Sequence, residues 1–385
     1  MKRLIVLGVA LAALALVLAG CGSDGAEEKQ ADQVLKIGTL SPLTGPYAAD
    51  GNDIRQGAEA AVAVIKAQGG IPGFSDIVVV PADSACDPKQ AVAAANKLIN
   101  DKVPAVVGAY CSSATIPASE TLAEEDIIMI TPASTSPVVT ERGLPYMFRT
   151  CGRDDHQAPA AVKFMKEVAD VKSVFIVDDK TTYSQGMADG VAAAAKEAGI
   201  EVLGHEHVNQ GDKDFSAVLT MVKDRNPDLF YISLQNSSSG ATMVIQARRM
   251  GINAILMGQD AVFHPKLIEF AKADAEGMFC TFGDIDTTTQ GYLDFLANYS
   301  SKYSAPGAYS AYSYDSAMAY LLAVKAAGTT DPAAVRAELL KLSFDGASKT
   351  VSYDEKGDSG SNYTVYQVRD GQFVPYWNSL TGQKY

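Results

Sequence analysis

The chain has 385 residues, 47% hydrophobic and 20% charged. At about 100 to 200 residues per domain this means two or three domains, and it excludes a fibrous or disordered protein. Asp and Glu total 45 against 32 for Lys and Arg, a formal charge of −13; such a surface repels phosphate backbones and excludes nucleic acid as a partner.

Lys2 and Arg3 precede an apolar run from Leu4 to Leu18, at about 15 residues too short for a membrane span and suited to the apolar core of a secretion signal. The run ends Leu18-Ala19-Gly20-Cys21, which resembles the lipobox of bacterial lipoproteins. That implies cleavage of a leader over 1–20, lipidation of Cys21, and an extracytoplasmic protein attached to the membrane through the lipid alone. Residues 21–33 are polar and read as a flexible tether. Outside the cytoplasm the four remaining cysteines, Cys86, Cys111, Cys151 and Cys280, point to disulfides, with three connectivities open.

From Val34 onward β-rich runs alternate with helical periods, the signature of an α/β fold with largely parallel sheets. Strands are predicted at 35–40, 77–80, 103–108, 127–131 and 146–150, with helices from Ile54 to Ile65, over 89–100 and over 117–126. A second series follows: helices at 157–168, 185–198, 214–224 and 240–250, with strands at 173–177, 202–208, 229–234 and 254–257. The run 277–282 leads to helices at 290–302, 312–327 and 332–342, then strands at 350–353, 363–368 and 373–377. Two such series make a two-lobed molecule the natural reading, with ligand at the facing carboxyl ends of the strands.

Ala85-Cys86-Asp87-Pro88-Lys89-Gln90-Ala91-Val92, Tyr110-Cys111-Ser112-Ser113 and Met129-Ile130-Thr131-Pro132-Ala133-Ser134-Thr135 occur in order, with Gly45-Pro46, Asp179-Lys180, Tyr183, the run Gly211 to Ser216 and Asp354 to Asp358. Together they resemble the branched-chain (Leu/Ile/Val-type) amino acid binding proteins of bacterial ABC transporters, over nearly all of 34–368. The resemblance implies a type I periplasmic-binding-protein fold: two Rossmann-like lobes joined by three crossovers near 150–153, 280–283 and 360–363. Lobe 1 would comprise 34–151 and 281–361, and lobe 2 would comprise 152–280 and 362–385. It also implies a free amino acid as ligand, ABC permease subunits as partners, and neither cofactor nor metal.

An α-amino acid presents a carboxylate that needs donors and an ammonium that needs acceptors with negative charge. By the resemblance Cys111-Ser112-Ser113 meets the carboxylate, with Ser112 giving hydroxyl and amide. Ala133-Ser134-Thr135 would supply the Ala133 carbonyl to the ammonium and Thr135 to both ends, while Asp260 faces the ammonium from the other lobe. Tyr183 and Tyr309 line the side-chain half. Two positions depart from the leucine-type pattern: Asp50 stands where an aromatic is expected, and Gln235 where a tyrosine is expected. If both point inward the cargo has a polar or cationic side chain; otherwise Asp50 caps a helix starting near Asp53. Cys86 and Cys111 match the family's paired cysteines. Cys151 and Cys280 fall on adjacent crossovers and are expected to bridge.

An enzyme is disfavoured. His205-Glu206-His207 puts two rings on one strand face with no third metal ligand evident, and the sequence holds no G-x-S-x-G or phosphate-loop motif. The competing function is a sensory or regulatory receptor of the same fold for an amino acid or a related small solute.

Overall fold

The computed structural model describes residues 33–385; the expected leader, the expected lipidation at Cys21 and nearly all of the expected tether lie outside the described residues. The first sheet is parallel, formed by β1 (Val34–Ser41), β2 (Asp76–Asp83), β3 (Ala105–Gly108), β4 (Ile128–Thr131) and β5 (Met147–Arg149) in the order β2-β1-β3-β4-β5. Its crossover helices are α1 (Ala48–Ala67), α2 (Pro88–Asn100), α3 (Ser112–Ala123) and the single turn α4 (Val138–Glu141). β3 and β4 are buried along their whole length, as expected for strands covered on both faces.

The chain then continues through α5 (Asp154–Glu167), β6 (Ser173–Asp178), α6 (Thr182–Ala198), β7 (Glu201–His207), α7 (Ser216–Arg225), β8 (Leu229–Ser233), α8 (Ser237–Arg249), β9 (Ile255–Gly258), α9 (Pro265–Ala271) and β10 (Phe279–Gly283). After these, α10 (Gln290–Ser300), α11 (Ser310–Ala327) and α12 (Pro332–Leu339) lie with the first sheet, followed by the hairpin β11 (Ser343–Asp345) and β12 (Thr350–Ser352). The antiparallel pair β13 (Tyr363–Arg369) and β14 (Gln372–Asn378) completes a seven-stranded second sheet, ordered β14-β13-β10-β9-β8-β6-β7. β10 therefore stays in the second sheet to Gly283, paired with Tyr363.

Local chemistry fixes the helix starts. Asp87 accepts from the Gln90 amide at 2.8 Å with Pro88 behind it, and Asn236 accepts from the Ser238 and Ser239 amides, each satisfying orphan donors. Helix α3 begins at Ser112 rather than near Pro117, because Cys111 is extended and its carbonyl already accepts from Ala114 and Thr115. Pro117 inside this helix removes one donor without ending it. Helices α1 and α11 approach closely at Gly57, where a Cβ would stand 2.4 Å from the Ser310 carbonyl oxygen. The first sheet's core and the two cores flanking the second sheet are separate apolar clusters.

Cys151 and Cys280 do not bridge; both are free and buried. Cys151 packs into the first sheet's core, while Cys280, the second residue of β10, points into a core of the second. Crossovers that run side by side do not bring thiols together when the two residues face different cores.

Candidate ligand-binding site

The carboxyl ends of the two sheets face each other across a narrow gap lined by Tyr110, Ser112, Ala133 and Tyr309 on one side and Tyr183, Gln235, Asp260 and Ala261 on the other. Most come from a strand end. Tyr110 and Ser112 follow β3, Ala133 follows β4, Gln235 follows β8 and Asp260 follows β9; Tyr183 opens α6 and Tyr309 immediately precedes α11.

Asp260 is the hinge of the arrangement. It is buried, and its two carboxylate oxygens accept from the hydroxyls of Tyr183, on its own side, and Tyr309, on the other, the latter at 3.0 Å. The Tyr183 oxygen in turn accepts from the Ala261 amide at 3.3 Å. Burial raises the Asp260 carboxyl above the usual carboxylate range, against the opposing pull of both tyrosines and Gln157. Burial, with the Asp260 charge next, also keeps both tyrosine hydroxyls protonated, so they act as donors.

The other expected residues divide. Ser112 begins α3, lines the gap, and its Oγ accepts from the Ser136 amide at 3.4 Å. The Ser134 hydroxyl is turned away into the protein, held by Thr115 Oγ1 at 2.5 Å and by the Ala109 and Tyr110 carbonyls at 3.1 and 3.0 Å; it supports the loop and does not line the gap. Thr135 has a buried hydroxyl with no hydrogen-bond partner. Cys111 lies behind the lining, bonded to Cys86 with the Cα atoms 5.5 Å apart. Gln235 anchors its own amide on Asp179 at 2.9 Å and leaves its buried side-chain oxygen unpartnered.

Asp50 sits neither at a helix cap nor on the gap wall. It is the third residue of α1, buried, beside Tyr110. Burial pushes its carboxyl up to about 7. His264 Nε2, from the other side of the gap, stands 4.0 Å away, yet burial lowers His264 to about 4, so at neutral pH this contact is not an ion pair.

Sequence reasoning missed Tyr110, Ala261 and, above all, Asp154. This first residue of α5 is buried, both its carboxylate oxygens lack hydrogen-bond partners, and its amide donates to the Thr135 carbonyl at 3.0 Å. Burial first, then the Asp260 charge, drives its carboxyl well above the ordinary value. The neighbouring Thr135 side chain and, after it, Arg149 pull in the other direction, and Arg149 is already held by Asp358 at 2.7 Å. A buried carboxyl at a helix N-terminus was the available signal, but Asp154-Asp155 read as a connection. Two buried acidic groups, Asp260 on the gap wall and Asp154 against the Thr135 loop, thus have no salt bridge to a basic side chain among the described residues, and a ligand ammonium would supply the missing charge.

Two α/β layers that close strand ends on a small polar gap define a solute-binding protein of the two-lobed kind. Comparison with known proteins makes the class specific: the chain belongs to the periplasmic binding protein family, whose model matches residues 34–372. An amino acid binding protein of Pseudomonas aeruginosa is 38% identical over 338 residues, covering 87% of this chain and 90% of its own. A leucine-, isoleucine-, valine-, threonine- and alanine-binding protein from the same organism is 34% identical, covering 92% and 94%. Among solved structures, a leucine-binding protein of Thermotoga maritima superposes with a TM-score of 0.84 at 28% identity, covering 89% of this chain and 98% of its own. A branched-chain amino acid transporter substrate-binding protein of Streptococcus pneumoniae in complex with isoleucine gives 0.80 at 27%, covering 89% and 100%. The family is extracytoplasmic and made up of solute-binding proteins. Among the described residues no helix is long and apolar enough to cross a membrane.

Proposed function

We propose that this chain is the substrate-binding component of an ABC importer for a compact amino acid with a hydrogen-bonding side chain, and that it performs no catalysis of its own. The observation that carries the reading is Asp260, a buried carboxylate gripped from both sides of the gap by Tyr183 and Tyr309. In this reading the ligand ammonium meets Asp260 and the Ala133 carbonyl, its carboxylate meets Ser112, and its side chain faces Tyr110 and Gln235. As it stands the gap is too tight to admit a water-sized sphere, so a ligand enters only when the two sides part. One of the Pseudomonas aeruginosa relatives binds, by its name, leucine, isoleucine, valine, threonine and alanine; the unpartnered Gln235 oxygen favours the polar end of that range, since an aliphatic side chain would leave it unsatisfied.

The moving units in this proposal are lobe 1, residues 34–151 with 284–361, and lobe 2, residues 152–283 with 362–385, the second boundary falling after β10 because that strand stays in the second sheet. Closure is supported at the mouth by Gln210 donating to the Tyr47 hydroxyl and Asn236 donating to the Pro46 carbonyl at 3.0 Å, and ligand contacts with both lobes favour the closed population. Lipid on Cys21 would hold the receptor near its permease. A thermal-shift panel of the standard amino acids tests the cargo: stabilisation by threonine, serine or another polar residue is expected, and stabilisation by leucine, isoleucine and valine alone would reject the polar assignment.

A further inference from the structure

The carboxyl end of β6 and the neighbouring edge strand β7 carry a second cluster that the amino-acid gap does not use. Asp178 ends β6 and its side chain is fully buried, while His205 and His207 stand two residues apart on β7. Strand alternation puts both rings on one face. The parallel register sets His205 beside Ile176 and His207 beside Asp178, so the carboxylate shares that face. A single oxygen, Asp178 Oδ2, lies 2.8 Å from His205 Nε2 and 2.7 Å from His207 Nδ1. All three atoms lie within 4.8 Å of one another. The other carboxylate oxygen is fixed by the Lys180 amide at 2.8 Å, and Asp189 of α6 reaches to 3.8 Å from His205 Nδ1.

We propose that Asp178, His205 and His207 form a binding site for a divalent transition-metal ion of the zinc type, with water in the fourth position. Two imidazoles and one carboxylate are a donor set that suits zinc and its neighbours, whereas calcium and magnesium require more oxygen ligands than the cluster offers. Zinc bonds of about 2.0–2.2 Å place tetrahedral ligands roughly 3.3 Å apart. The present hydrogen bonds would therefore open by about half an ångström as the ion takes the place of the shared protons. Asp189 stands where a carboxylate could hold the proton on His205 Nδ1 and leave Nε2 free for the metal. Because β7 is an edge strand and His207 is 39% exposed, the ion has a path from solvent.

Calorimetric titration of tag-free, chelator-treated and dialysed full-length protein with zinc ion tests this. Saturable binding of a single ion at micromolar concentration or below is expected. His207→Ala and His205→Ala should each weaken it by at least about tenfold, while His156→Ala, an exposed imidazole on α5, leaves it unchanged. Cobalt substitution should give the visible absorption of a tetrahedral site, lost in His207→Ala. Absence of saturable binding below about 100 μM, or a His207→Ala variant that melts and binds zinc like the parent, overturns the assignment and leaves the three side chains as a hydrogen-bonded edge of the sheet.

Discussion

Replacing Asp260 by Asn should separate grip from fold. The asparagine keeps the size of the side chain but removes the charge opposite the proposed ammonium. One charge-assisted hydrogen bond contributes roughly 1.5 to 3 kcal/mol, which predicts an affinity about 10- to 150-fold weaker. Stability of the ligand-free protein should move in the other direction or not at all. Burial already penalises ionised Asp260, and a neutral amide carries no such cost, although one tyrosine hydroxyl must turn round to accept from the new NH2. Affinity measured by calorimetry from pH 4 to pH 8 adds a second signature. Protonated Asp260 cannot balance an ammonium, so the parent loses affinity on acidification at a higher pH than an ordinary aspartate would impose, and D260N should lack that component. Asp154, raised by the same surroundings, titrates beside it and is measured in parallel as Asp154→Asn. If D260N binds the amino acid as tightly as the parent, or loses affinity only in proportion to lost ligand-free stability, the reasoning fails.

Asp50 offers a test through proton linkage. Its folded value of about 7 lies above the ordinary 3.8, so the stability it contributes is fully present below pH 3.8 and is lost as pH rises through 7. Three units at about 1.4 kcal/mol each give an upper figure near 4 kcal/mol. Asp50→Asn should therefore gain on the parent by about 2 to 4 kcal/mol between pH 4 and pH 8 in urea titrations, with neighbours Asp53, Tyr110, His264 and Lys266 unchanged; parallel pH profiles would contradict the burial argument. Removing the Cys86–Cys111 bond as the double serine variant should cost about 3 kcal/mol, read from the denaturation midpoint, and should weaken ligand binding because α3 starts at that bridge. Gln210→Ala, at the mouth of the gap, should speed ligand release in stopped-flow measurements while leaving association nearly unchanged; an unaltered release rate would exclude that contact from the closed-state latch.

The βα cycles were legible because alternation and helical period are local properties, and a residue such as Asp87 announces its helix by type and place. The strand Ser343–Asp345 of the separate two-stranded hairpin was not, since it carries a single partly buried apolar residue between two exposed ones and its partner supplies the pattern. The gap was legible in part for the same reason. Ser112, Ala133, Asp260 and Tyr309 each follow a strand or precede a helix, where side chains converge whatever their neighbours. Ser134 occupies an equivalent place, but the direction of its hydroxyl depends on Thr115 and two carbonyls from another loop, none of which alternation records. Asp50 shows the same limit in reverse: its residue type suggested either cargo contact or a cap, and burial beside Tyr110 gave it neither role. Asp178 makes the general point most directly. His205 and His207 declared their shared face through spacing alone, but the carboxylate that joins them arrives from the adjacent parallel strand, and parallel pairing is a long-range fact that forms only when α6 has carried the chain back. Side chains whose roles are set by one element can be read along the chain, whereas those set by the register between elements require the fold.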